Sequence, residues 1–220
     1  YSFLALLFHK SAAILIPIVF LSYFRFNYKY LLILLLAVLI IGNFEVFSVF
    51  KRKLSIIILD LILVISLLSV LFLRNDTISS YVLLIWVIIL TIVSDVGGYI
   101  FGKIFKWKKL TKISPNKTLS GVIGSTILSI TTVFLLSYFV EKYTSLEKEF
   151  FNQPKYYFMA ILFSFTAQLG DLFVSYFKRL EKIKDTGKIL PGHGGIFDRI
   201  DGLMFVVILA NILYNLKLFP

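Results

Sequence analysis

Long apolar runs separated by short charged stretches organise this chain, and the length of the runs decides what they can be. Seven of them lie at approximately 3–24, 31–50, 54–73, 79–101, 121–140, 156–176 and 201–219. At 1.5 Å rise per residue, a helix of about 20 apolar residues crosses the roughly 30 Å hydrocarbon layer of a bilayer. Inside that layer only helices and closed barrels satisfy every backbone polar group. The pattern therefore predicts an all-α, polytopic integral membrane protein with about seven transmembrane helices. His9 and Lys10 interrupt the first run and could split it, which would make eight. No internal repeat, low-complexity tract or soluble appendage breaks the series, so residues 1–220 read as a single transmembrane domain. The sequence begins at Tyr1, from which a truncated N-terminus is expected.

Composition supports the membrane reading and removes several others. The chain is 59% hydrophobic and 16% charged, with a mean hydropathy of +0.90, too apolar for an ordinary soluble domain. A net charge of +11 would point to nucleic acid in a soluble protein. Here the lysines and arginines lie between apolar runs, so topology and anionic headgroups explain them, and no nucleic-acid partner is expected. The absence of cysteine excludes disulfides and thiolate metal sites. Of the 23 basic residues, 15 fall in three stretches, Lys51–Lys53 and the loops 102–120 and 177–200. The excess of positive charge predicts that all three face the cytoplasm, so the two glycine- and lysine-rich loops would converge on one side.

Charge inside the apolar runs is costly, about 2.5–3.5 kcal/mol for a carboxylate at a helix centre on insertion scales, so such residues usually face a polar interior. For Glu45 and Asp60, structural pairing or snorkelling is the preferred reading over a site role. His9 reads as an interfacial residue. Asp95, Gly98, Tyr99 and Gly102 recur at helical spacing, so a carboxylate looks along a strip of small residues. That strip suits close helix packing or close approach of a substrate. Beyond it, Ser114-Pro-Asn-Lys117-Thr118 places hydroxyls, an amide and an ammonium in a constrained turn before a helix, a combination suited to an anion.

The densest charge lies in Ser175–Asp201. Asp171, Ser175 and Lys178 at i, i+4 and i+7 share one helical face that leads into this stretch. Lys178-Arg179, Lys184-Asp185 and Pro191-Gly192-His193-Gly194-Gly195 follow, ending in Asp198-Arg199-Ile200-Asp201. Glycines at 192, 194 and 195 let backbone N–H groups approach a phosphate. Asp198 and Asp201 at i, i+3 open the last helix, where two carboxylates are better explained by bound cations than by dipole capping alone. For His193, a phosphate hydrogen bond or a turn-stabilising role outweighs acid–base catalysis. Oxygen ligands select Mg²⁺ or a similar ion, and Mg²⁺ with lysine and arginine neutralises polyphosphate, as phosphoryl and nucleotidyl transfer require.

These blocks resemble the signature of the phosphatidate cytidylyltransferases, also called CDP-diacylglycerol synthases. The resemblance rests on Ser175-Tyr-Phe-Lys178-Arg179, Lys184-Asp185, Pro191-Gly-His-Gly-Gly195 and Asp198-Arg199-Ile200-Asp201, with Asp95-Val-Gly-Gly-Tyr99, Gly102-Lys103, Ser114-Pro-Asn-Lys-Thr118 and Gly121 beside them. It covers roughly residues 80–215 well and the first three spans only by hydrophobic pattern. It implies the reaction of CTP with phosphatidate to give CDP-diacylglycerol and diphosphate. The enzyme would be Mg²⁺-dependent, with a second cation as an option. It would sit in a bacterial cytoplasmic membrane with its site facing the cytoplasm. By the same resemblance Asp171, Asp198 and Asp201 would hold the metal, with Asp95 and Asp185 as acidic neighbours. Lys178, Arg179, Lys184 and Arg199 would contact phosphates, joined by Ser114, Lys117 and Thr118. Ser175 and the turn glycines with His193 complete the expected substrate-binding set. Two positions depart from the pattern, Ser120 and Val174, each standing where a glutamate is expected. Two alternatives stay open: a CTP-dependent kinase or cytidylyltransferase acting on a polyprenyl or ether lipid, and a transporter of an anionic lipid or metabolite. Apolar outer faces would also suit a homodimer.

Overall fold

A computed structural model of the protein describes residues 28–75, 77–111, 113–143, 153–187 and 194–218. Six helices stand where six of the seven apolar runs were read: α1 Tyr28–Val49, α2 Lys53–Asn75, α3 Ile78–Phe105, α4 Leu119–Tyr143, α5 Pro154–Leu180 and α6 Phe197–Asn215. The first run, with His9 and Lys10, lies outside the described residues. Among the described residues there is no strand, and pairing of that kind is limited to one isolated antiparallel bridge between Lys109 and Thr118.

The helices α1 to α5 each contain a stretch long and apolar enough to cross a membrane. The last helix departs from that expectation. It is 19 residues long and its first turns carry Asp198, Arg199 and Asp201, so its apolar part is too short to qualify. Yet Ile200, Leu203, Val206, Val207 and Ala210 are buried, and α6 packs against α1, α2, α3 and α5. A helix buried on most of its circumference is a core helix of the bundle.

Glycine sets how closely the helices cross. A Cβ added at Gly97 would stand 2.7 Å from the carbonyl oxygen of Gly124, and one at Gly121 would stand 2.8 Å from that of Gly98, so α3 and α4 touch backbone to backbone. The pair α5 and α6 does the same, since a Cβ at Gly202 would lie 2.9 Å from the Ala167 carbonyl oxygen. Small residues at crossings are what close packing in membranes requires. Two apolar clusters fill the rest. One centres on Trp86, stacked edge-on with Tyr156 and Phe163 at centroid distances of 5.8 and 5.7 Å. The other, with Val46, Phe50, Leu59, Val174, Phe177 and Phe197, surrounds the start of α6.

Three connections meet at one end of the bundle. The backbone N–H of Arg52 donates to Glu181 Oε1 at 3.0 Å, joining the α1–α2 connection to the end of α5. Arg179 Nε donates to the Ile113 carbonyl at 3.1 Å and Nη1 to that of Ile183 at 2.6 Å, joining the α3–α4 and α5–α6 loops. The expected convergence of the three basic stretches is thus present in the fold.

Candidate active site

A cavity of about 840 Å³ opens among α3, α4, α5, α6 and two of these loops. The helical spacing read from the sequence accounts for its walls. Asp95, Gly98, Tyr99 and Gly102 all line it from α3, and Asp171, Ser175 and Lys178 from α5. Ser114, Lys117 and Thr118 enter from the α3–α4 loop, Arg179, Lys184 and Asp185 from the end of α5 and the loop after it, and Asp198, Arg199 and Asp201 from α6. Gly192 and His193 lie outside the described residues. The α3 strip packs on α4 through Gly98 and Gly102 and also faces the cavity.

Several of the ionisable groups have a particular neighbour. Lys117 Nζ lies 2.7 Å from Asp171 Oδ2 and donates to the Gln168 carbonyl at 3.1 Å, which docks the α3–α4 loop on α5. Ser175 Oγ donates to Asp171 Oδ1 at 3.2 Å. Lys178 Nζ donates to Asp198 Oδ1 at 2.8 Å, and both side chains are under 10% exposed. Asp198 Oδ2 in turn accepts from the backbone N–H groups of Thr186 at 2.7 Å and Gly195 at 3.0 Å. Thr118 Oγ1 accepts from the N–H of Gly121 at 3.1 Å and so caps α4.

Arg199 is different. It is 4% exposed and sits in the field of Asp198, Asp201, Asp185 and Asp95. Its Nε and Nη1 are buried and meet no hydrogen-bond acceptor among the described residues. A buried guanidinium with idle donors on a cavity wall is a ready site for an anion, because an unmade charged hydrogen bond costs about 1–3 kcal/mol or more.

Three expectations change in detail. By sequence, Gly194 and Gly195 leave room for a phosphate. Gly194 instead takes φ +84° with a Cβ position 3.0 Å from Asp198 Oδ2, and Gly195 is packed so closely that a Cβ there would overlap the Glu45 carboxylate and Thr186 Oγ1. Their missing side chains make room for the protein's own acids. Arg179, read as a phosphate contact, spends two donors on loop carbonyls. Asp198, read as a metal ligand, has both oxygens occupied by an ammonium and two amides.

Among the described residues no three His, Asp or Glu side chains are grouped closely enough to hold a metal between them. Asp171 and Asp201 nevertheless share the cavity with Lys117, Lys178 and Arg199. Mg²⁺ is commonly held by one or two carboxylates with substrate phosphates and water supplying the rest. The residues fit that mode, and do not fit a cage of three aspartates.

The family model for the cytidylyltransferase family matches this chain over residues 2–217. The chain belongs to the cytidylyltransferase family. Its curated relatives include proteins named phosphatidate cytidylyltransferase from Staphylococcus haemolyticus (strain JCSC1435), 45% identical over 123 residues, and from Staphylococcus aureus (strain COL), 44% identical over 123 residues. A third, from Staphylococcus saprophyticus, is 44% identical over 123 residues. In each case the match covers 54% of this chain and spans 44% of the relative, under half its length.

Within this cytidylyltransferase-family chain, Ser120 and Val174 replace expected glutamates with different consequences. Ser120 is buried, shares a 3.0 Å hydrogen bond with Thr118 Oγ1 and accepts from the Trp107 N–H at 3.4 Å, so it ties the α3–α4 loop to the start of α4. Val174 is fully buried in the apolar cluster with Val46, Phe177 and Phe197. Thr186 and Gly187 were not singled out from the sequence, although both frame the site loop. Thr186 belongs to Lys-Asp-Thr-Gly, where a hydroxyl beside a glycine was the available signal. Asp60 is half-buried on α2, with no hydrogen bond or ion pair to the described residues.

Proposed function

We propose that the protein is a phosphatidate cytidylyltransferase, transferring the cytidylyl group of CTP to phosphatidate with release of diphosphate. The observation that carries this reading is the buried Arg199 guanidinium, with Nε and Nη1 idle, on the wall of a cavity that also holds Lys117, Lys178, Asp171 and Asp201. Cations interleaved with carboxylates match a polyphosphate accompanied by a divalent ion. The volume of about 840 Å³ lies within the usual range for a small-molecule site.

A phosphate oxygen of phosphatidate attacks the α-phosphorus of CTP in line. The new P–O bond joins the lipid phosphate to the cytidylyl group, the bond to the β-phosphate breaks, and diphosphate leaves with the electron pair. The nucleophile is already an anion, so no strong base is required. Positioning and charge neutralisation carry the barrier reduction. Arg199 and Lys178 face the developing negative charge, and Lys117 reaches phosphate by giving up Asp171. Asp171 and Asp201 would hold Mg²⁺, which would supply neutralisation of the polyphosphate. On the bias of basic residues the site faces the cytoplasm, in the cytoplasmic membrane of a bacterium. The chain forms a single transmembrane catalytic domain.

Incubation of the purified protein in phosphatidate vesicles with Mg²⁺ and CTP labelled on either the α- or the γ-phosphorus tests this. Label from the α-position should enter the lipid. Transfer of γ-label would identify a kinase, and no transfer to any anionic lipid would overturn the assignment.

A further inference from the structure

Glu45 lies on α1, far in sequence from every residue of the site, and is 1% exposed. Its carboxylate spans the bundle to the start of α6. Oε1 accepts from the Ile196 N–H and Oε2 from the Phe197 N–H, both at 2.9 Å, and Thr186 Oγ1 lies 3.3 Å from Oε2. The first amides of a helix have no partner within it, and a side chain at the cap position normally accepts one of them. Here the cap position is Ile196, which has no oxygen to offer and makes no side-chain cap bond. Glu45 takes that place in trans, with the charge that the helix dipole favours.

The neighbouring bonds give this cap a second effect. Asp198 Oδ2 accepts from Thr186 N–H and Gly195 N–H, while Glu45 holds Thr186 Oγ1 and the two amides after Gly195. Two buried carboxylates therefore draw the two ends of the loop between Thr186 and Gly195 into a neck. The chain accommodates Glu45 by omitting side chains around it. A Cβ at Gly187 would stand 2.7 Å from Oε1, and one at Gly195 would overlap Oε2.

We infer that Glu45 is a positioning residue of the site: its carboxylate caps α6 from across the bundle and, with Asp198, closes the neck of the Thr186–Gly195 loop, fixing where Asp198, Arg199 and Asp201 face the cavity. The catalytic consequence rests on the proposed cytidylyl transfer, whereas the structural consequence does not.

Glu45→Gln keeps the shape but offers one acceptor oxygen and turns an NH₂ toward backbone donors. Gly195→Ala attacks the same contact from the other side. The test is amide hydrogen exchange of both variants and the parent protein in lipid nanodiscs, alongside kcat and KM for CTP and phosphatidate. Exchange in 186–187 and 195–198 should quicken at least tenfold in both variants while exchange in α3 and α4 stays unchanged. Turnover should fall about tenfold to a hundredfold, mainly in kcat. With Glu45→Ala measured as well, the double variant Glu45→Ala/Gly195→Ala should be less impaired than Glu45→Ala and Gly195→Ala add up to, because the new methyl enters the space the carboxylate leaves. Unaltered exchange in the loop ends overturns the proposal, as does loss of the whole bundle in both single variants, which would make Glu45 a general core residue. A parent protein that shows the exchange pattern but transfers no label from CTP leaves the neck standing and sinks the reaction instead.

Discussion

The Lys178–Asp198 pair offers the sharpest test of how the site is held together. Its atoms are 2.8 Å apart, and the two side chains are 8% and 6% exposed. Breaking a buried pair by removing one partner typically costs about 3–5 kcal/mol, because the other charge stays behind. The two removals are not equivalent here. With Lys178→Met, Asp198 keeps the Thr186 and Gly195 amides, and a hydrogen bond to a charged group is worth about 1.5–3 kcal/mol, so the loss should sit near 3 kcal/mol. With Asp198→Asn, the ammonium loses its partner, and the new NH₂ must face either Lys178 or the two amides, all of them donors. That loss should approach about 5 kcal/mol. Combining Lys178→Met with Asp198→Asn removes both members of the bonded ion pair together, so the double variant should fall short of the sum by about 1–3 kcal/mol. Equilibrium unfolding in mixed micelles, followed by fluorescence of the buried Trp86, measures all three. Additivity within about 0.5 kcal/mol, or a larger loss for Lys178→Met than for Asp198→Asn, would refute the reasoning.

Other consequences follow from single contacts. Gly97→Val should destabilise the bundle by about 3 kcal/mol or more, since the added atoms meet the Gly124 backbone, which has no rotamer to yield; a melting point equal to the parent's would exclude the backbone crossing. Arg199→Met should raise the KM for CTP about tenfold to a hundredfold, or roughly 1.4–2.8 kcal/mol, and Arg179→Gln should act less on KM than on loop order; equal effects on KM would undo the distinction. Thr118→Ala should lower stability by about 1 kcal/mol through the lost α4 cap, readable in the same unfolding titration.

Much of this was legible in the sequence because helical geometry is periodic. Asp95, Gly98, Tyr99 and Gly102, and likewise Asp171, Ser175 and Lys178, could be placed on single faces by counting, and both faces line the cavity. The positive stretches were legible too, since topology brings alternate connections to one end. What counting could not reach was the partner of each charge. Asp198 and Asp201 share a face and both line the cavity, yet Asp198 also turns its two oxygens to Lys178 and two amides. Which oxygen meets which donor depends on how a loop folds back, and loops have no period. The same limit hid Glu45: its donors are some 150 positions away, and an acid near the end of an apolar run looks alike whether it snorkels or caps another helix. Run length found α6 but not its setting: its charged first turns shorten its apolar part, and many of its apolar residues are buried among the other helices.

The two departures from the family pattern can be argued from their surroundings. Val174 has no exposed surface and belongs to the apolar cluster with Val46, Phe177 and Phe197, the last of which gives its N–H to Glu45. A carboxylate placed there would be buried among apolar groups, where an unpaired charge costs several kcal/mol and escapes by taking up a proton. Restoring the expected residue in this chain alone, Val174→Glu, should therefore weaken the protein instead of improving it, with unfolding shifted by about 3 kcal/mol or more and the loop ends exchanging faster. A Val174→Glu variant with parental stability and faster turnover would mean that this part of α5 faces substrate. Burial of Val174 against the start of α6 argues for the opposite: the apolar floor lets Glu45 and Asp198 act undisturbed, because no third carboxylate competes for the amides of Thr186, Gly195, Ile196 and Phe197.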